Sequence, residues 1–393
     1  MKLGNIVLAG AALTVALASC SQKEEGVAVS GNPKAVTVSF ANVTRSVGDK
    51  VDKDKTALYE DFYVLFTDDA GKIYKGKSAD LTTDAPIYFA NAAAAGDMTF
   101  HLLDNSVKKV YVIANPTDEI KTAADAATGI NEIESVVVAA AAQQSVNPND
   151  NADLVLYGVC ESLVDAGTAD DKGHEDYYTA TVNIKPLVAR IQIGAFTCDF
   201  TDTEGITAYD IEQVALNNYY TTCTLGGTPG GLNNTPITGN VFDFFADADR
   251  PAWSHDEATI HLDNSDVEGG SNTHALADDA NFCYDIFPGV TPQLLVQLND
   301  TTDAGSPVPY YLATEGFSGL SDNTFKAGYI YNVNFSFKWN DPLTPEKCVT
   351  VNVTVEPWRR LRLSSNSSDL SRKRERSASR FRFFHYVNIQ GLI

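Results

Sequence analysis

Basic residues are scarce over most of this 393-residue chain. Arginine occurs at only Arg45, Arg190 and Arg250 within residues 1–358, then eight times in residues 359–393. The first stretch holds 20 basic against 49 acidic side chains, the last stretch nine against two. A body this acidic will not bind nucleic acid through its phosphates; it suits a self-repelling surface protein. Histidine is limited to six positions, and no HExxH or comparable spacing joins them. His255-Asp256-Glu257 with His261 and Asp263 reads as a solvated loop and strand edge. The oxygen-rich run 263–269 lacks the terminal bidentate Glu of a calcium loop and reads as a surface turn. There is no GxSxG and no marked carboxylate pair. Gly226-Gly227-Thr228-Pro229-Gly230-Gly231 lacks the Lys-Ser/Thr of a phosphate loop and reads as a hairpin loop. We therefore expect no catalytic residues, no metal, no cofactor and no enzymatic role. The six cysteines form no CxxC, which argues against zinc. Beyond Cys20, an odd number remains at wide spacing. A Cys198–Cys223 disulfide is open to them, and burial as free thiols is the preferred reading.

Long apolar runs are also missing. Residues 6–17 are the longest, too short to span a bilayer, and they follow Met1-Lys2 as the core of a signal peptide does. They end in Leu17-Ala18-Ser19-Cys20, which resembles the lipobox of bacterial lipoproteins. The resemblance implies cleavage between Ser19 and Cys20 and lipid on Cys20, which anchors the chain by burying methylenes at about 0.8 kcal/mol each. The acidic pair Glu24-Glu25 just after it resembles a surface-export signal.

What the chain has in quantity is short alternating runs. Residues 35–40 alternate and are β-branched; 62–66 and 72–74 flank the turn Asp68-Asp69-Ala70-Gly71. Residues 98–103 and 108–114 follow. Val110-Tyr111-Val112-Ile113-Ala114 is apolar throughout, as a strand buried on both faces is. The only helix candidates are 118–126, with Thr117 as cap, and 130–143; both are Ala-rich. Strands resume at 154–159 and across 177–193, where Lys185-Pro186 marks a bend or an edge. Residues 211–223, 258–262, 282–286, 293–298, 310–313, 329–337 and 349–355 continue the pattern. The 17 Tyr and 19 Phe fall mostly inside these strands, which assigns them to core packing. The expected class is all-β: two sandwich domains in tandem, with short helices inserted in the first, divided near Phe196.

Several stretches, in this order, resemble the type V pilins, or fimbrillins, of Bacteroidales. They are the lipobox with its acidic pair, the strand 36–40 followed by Arg45, and residues 110–116. Val182-Asn183-Ile184-Lys185-Pro186-Leu187-Val188-Ala189-Arg190-Ile191 comes next, then Gly328-Tyr329-Ile330-Tyr331 and residues 349–358. The resemblance implies transthyretin-like sandwiches and export as an outer-membrane lipoprotein. It implies cleavage between Arg45 and Ser46, which removes the lipidated leader with its first strand. Val36, Val38 and Phe40 would be the strand-exchange residues, because a neighbouring subunit's C-terminal strand refills the groove they leave. The implied layout is a signal peptide at 1–19, a removable leader at 20–45, sandwich domains at 46–196 and 197–358, and an atypical basic tail at 359–393.

The implied partners are other fimbrial subunits, the outer membrane through Cys20, and a host or bacterial surface receptor. After Trp358 the composition departs from the family, with Arg359-Arg360-Leu361-Arg362 and Arg372-Lys373-Arg374-Glu375-Arg376. A shifted reading frame is the expected cause, and the family's donor strand is then in question. The expected function is a fimbrial subunit mediating adhesion. The alternatives are a non-polymerising surface lipoprotein (anchor, tip or host- or glycan-binding adhesin) and, last, a sandwich hydrolase.

Overall fold

The computed structural model describes residues 32–360, apart from 41–55, 92–97, 145–153, 168–173, 237–240, 266–270, 277–281, 321–323, 344–348 and positions 58, 60, 79, 202 and 358. The described chain is all-β, with its strands numbered here along the sequence. One four-stranded sheet has the order β10 (Val164–Gly167), β11 (Asp176–Val182), β1 (Lys34–Phe40), β6 (Thr99–Leu103). Facing it is a sheet of order β12 (Lys185–Pro186), β9 (Leu156–Cys160), β7 (Lys109–Ala114), β3 (Phe62–Thr67), β4 (Ile73–Tyr74), with β5 (Tyr88–Phe89) also on β3. β12 lies at the sheet edge, where its proline costs no ladder bond.

β3 is buried along its whole length, and β7 nearly so. One face meets Val36, Val38 and Phe100 of the first sheet. Ile120, Ala124, Ile130 and Ile133 of the two helices, α1 (Asp118–Ala126) and α2 (Ile130–Glu134), belong to the same core. Thr117 caps α1 by accepting from the Ile120 N–H at 3.4 Å. The helix expected over 130–143 stops at Glu134. Val136-Val137-Val138 are β-branched and stiff, and β8 (Val137–Ala139) gains a ladder with β15 (Tyr219–Thr224) instead. A 3-10 turn, Ala140–Gln143, follows.

The second core lies within one nine-stranded sheet. Its order is β17 (His255–Asp263), β14 (Ala208–Asn217), β20 (Gln293–Asp300), β21 (Val308–Ser318), β23 (Val349–Pro357), β22 (Tyr329–Lys338), β13 (Ala189–Asp199), β18 (Ser271–Ala275). β19 (Phe282–Ile286) also pairs with β13. Tyr209, Ile211, Val214, Leu294 and Val296 share a core with Ile191, Ile193, Phe196, Val333 and Phe335. The two halves of the sheet therefore bury a common interior, and β23 joins them.

The single strand expected over 211–223 is broken at Asn218, which takes φ 56 and divides β14 from β15. Beyond it, β15 and β16 (Pro229–Asn233) form a hairpin that divides the glycine-rich run between its turn and its second strand. A short helix not expected from the sequence, α3 (Val241–Phe245), packs Val241 and Phe245 on Ala215, Leu295 and Ala313.

Cores and chain interlock at the junction. Cys223, Leu225, Phe287 and Ile330 are buried with the first core. Gln144 exchanges hydrogen bonds with the backbone of Asp285, whose carboxylate holds Arg190. Cys198 and Cys223 are buried free thiols, and burial pushes the Cys223 thiol up to about 11.

Candidate functional site

The site assembles around β1. Its seven residues lie between two neighbours of opposite sense: β11 runs parallel to it, β6 antiparallel. Lys34, Val36, Val38 and Phe40 share one side of the strand, as the two-residue repeat dictates. Val36 and Val38 are 0% and 3% exposed and sit in the first core. Phe40 is half-buried and meets Tyr59 and Phe62 edge-on, with centroids 5.6 and 5.3 Å away. Burying each valine is worth about 1.5–3 kcal/mol. On the opposite side the strand is tied by hydroxyls. Thr37 and Thr99 oxygens are 2.9 Å apart, those of Ser39 and Thr181 3.2 Å.

Lys34 ends the apolar row and is itself only 3% exposed. Its ammonium donates to the Val107 carbonyl at 2.6 Å and lies 4.9 Å from the centre of the Tyr178 ring. Burial, with Lys108 nearby, lowers its pKa. A pinned cation at this end fixes where the strand starts. The entry is closed by the Asp176 N–H donating to the Pro33 carbonyl at 3.0 Å. Beside it, Glu175, buried, contacts His101 Nδ1 at 2.9 Å and accepts from the Leu102 N–H at 2.5 Å. Lys34 was not singled out from the sequence. Its partners lie 73 and 144 positions away, so only its place before an alternating strand could have marked it.

Of the residues singled out from the sequence, Val36, Val38 and Phe40 come together here. Ser19, Cys20, Arg45 and Ser46 lie outside the described residues. Arg359–Arg360 forms a two-residue strand, β24, which pairs with β2 (Thr56–Ala57), off the large sheets; the rest of the tail lies outside the described residues. The histidine and carboxylate run comes together only in part. His261 pairs with Asp210 and with Asp263, which raises its pKa, whereas His255 faces the Pro251 carbonyl. Among the described residues no group of His, Cys, Asp and Glu has the arrangement of a metal site.

No protein-family model matches the chain, and no curated protein does. Among solved structures it is similar to a Bacteroides eggerthii chain assigned to cell adhesion. Identity is 14%, over 84% of this chain and 97% of that one, with a TM-score of 0.48. A fimbrilin of Porphyromonas gingivalis is similar at 13% identity, over 84% and 99%, with a TM-score of 0.46. The tip fimbrial protein Mfa3 of the same organism is similar at 9%, over 83% and 100%, with a TM-score of 0.41.

Proposed function

We propose that the chain is a structural subunit of cell-surface fimbriae. It travels as a lipoprotein through Cys20, is cut between Arg45 and Ser46, and is joined to the next subunit by strand exchange. The observation that carries this reading is the position of β1. A strand at the N-terminal end of the described chain fills the middle of a sheet, and Arg45 follows it five residues later. Cleavage at Arg45 would leave β1 held by non-covalent bonds alone. Its departure would strand the ladder groups of β6 and β11 and open an apolar floor. Each unsatisfied buried group costs about 1–3 kcal/mol, so the slot favours refilling by another strand.

Two hydrophobic cores support a two-domain body. We keep domains at 46–196 and 197–358; the first core is drawn mainly from residues up to Val188 and the second from Ala189 onward, while Cys223, Leu225, Phe287 and Ile330 reach back into the first. The role is one of assembly and adhesion rather than catalysis, and the location is the outer surface of the outer membrane. A second reading is an anchor that keeps its leader; the slot filled in cis by β1 supports it.

N-terminal sequencing of surface material separates the two. A start at Ser46, abolished by Arg45→Ala together with loss of multimers, is expected of the subunit. A start only at Cys20 assigns the anchor role.

A further inference from the structure

Two strands that flank a third stand about 10 Å apart, twice the usual spacing. β6 and β11 are placed so, with β1 between them. Their side chains nevertheless meet. His101 Nδ1 of β6 lies 2.9 Å from Glu175 Oε2, on the residue before β11. The His101 ring also stands edge-on to the ring of Tyr177 on β11, with centroids 6.5 Å apart. Both contacts have to cross β1.

The crossing point is Ala35. It pairs with Tyr177 on one side, and a bulge sets both His101 and Leu102 opposite it on the other. By the two-residue repeat Ala35 faces outward, with Thr37 and Ser39. Those two are exposed, whereas Ala35 is 0% exposed and lies outside the first hydrophobic core. A cover on the outer face accounts for both facts, and alanine is the smallest side chain in β1. The cover is fixed at each end. His101 exchanges both backbone hydrogen bonds with Lys77, at 2.9 and 2.6 Å. The second oxygen of Glu175 accepts from the Leu102 N–H at 2.5 Å, where the bulge turns Leu102 to φ 51.

We infer that Glu175, His101 and Tyr177 form a strap over β1, which retains the leader after cleavage and sets the rate at which it leaves. This rests on the proposed cut at Arg45. The core and the strap hold β1 by its two faces, β11 and β6 by its two edges. A slide of two residues would keep the faces but bring Thr37 or Pro33 under the strap, and both are larger than alanine. β1 therefore leaves only when the His101–Glu175 bond opens. Opening takes one donor from a buried carboxylate, which keeps the open form rare. Glu175 and His101 are positioning residues here, acting on the strand through the space above Ala35.

The test uses the full chain cut after Arg45. Exchange of its leader for an isotope-labelled peptide of residues 32–45 is followed by native mass spectrometry. His101→Leu and Glu175→Ala should each speed the exchange about tenfold or more. His101→Asn should stay close to the unaltered rate, because its amide nitrogen can replace Nδ1 as donor. A second measurement leaves the body untouched. A seated peptide carrying Ala35→Val should leave about tenfold faster than the unaltered peptide. Strand preference alone gives the opposite, since valine suits a strand better than alanine. The inference is overturned, and the proposed function stands, if the leader exchanges but Ala35→Val slows its departure. The same holds if it exchanges and His101→Leu and Glu175→Ala leave the rate unchanged, or His101→Asn behaves as His101→Leu. If the leader exchanges in neither the unaltered chain nor any variant, both are overturned.

Discussion

Arg190 and Asp285 are each no more than 1% exposed, and the guanidinium meets both carboxylate oxygens, at 3.1 and 3.0 Å. The backbone of Asp285 is bonded in turn to Gln144, so the pair is tied to a segment that follows the helices of the first core. A buried pair contributes little net stability by itself, because desolvation offsets the attraction. Removing one partner is different, since it leaves the other charge buried alone. Asp285→Ala should therefore lower unfolding stability by about 3–5 kcal/mol, measured by urea titration. Arg190→Met with Asp285→Leu should recover most of that loss; a double variant as unstable as the single one would refute the argument. Arg190 stood out in the sequence because arginine is rare there. Its partner did not, because 95 positions separate the two and nothing local marks Asp285.

Elements show which physical signals are local. β3 and β7 were legible because their apolar runs have no polar side, and the structure covers both faces of each. The outward and inward alternation of β1 was equally plain. The helix over 130–143 was misjudged because alanine propensity is a weak preference. Pairing of β8 with a hairpin more than eighty residues away overrode it. The break at Asn218 was missed because a positive φ is not written in the alternation around it.

A close approach was just as hidden. Gly158 on β9 faces the Asn183 carbonyl so closely that a Cβ would collide with backbone. Gly158→Ala should force β9 away from the segment after β11 and destabilise the first core by about 1–3 kcal/mol. Hydrogen exchange should report this as lost protection in β9 and β7. Unchanged protection there would mean that the backbone yields at no cost.

At the scale of the whole molecule, phenols packed in or against both cores tie stability to pH. Tyr157 in the first, and Tyr209 and Tyr284 in the second, have pKa values raised above the ordinary 10.0, each chiefly by burial. Above that value the unfolded chain releases protons that the folded chain retains. The stability these groups contribute is present below pH 10 and is lost as pH rises beyond it. Tyrosinate absorbance should appear in step with loss of the folded circular-dichroism signal. Ionisation of these tyrosines while the fold persists would contradict this.

The two-sided pairing of β1 carries a mechanical consequence. Ladder bonds run across the strands, so tension along the occupant's axis loads the bonds to β6 and β11 in shear, all together. A sideways force would instead unzip them one at a time. The seat of β1 therefore resists a pull along the strand far better than a pull across it.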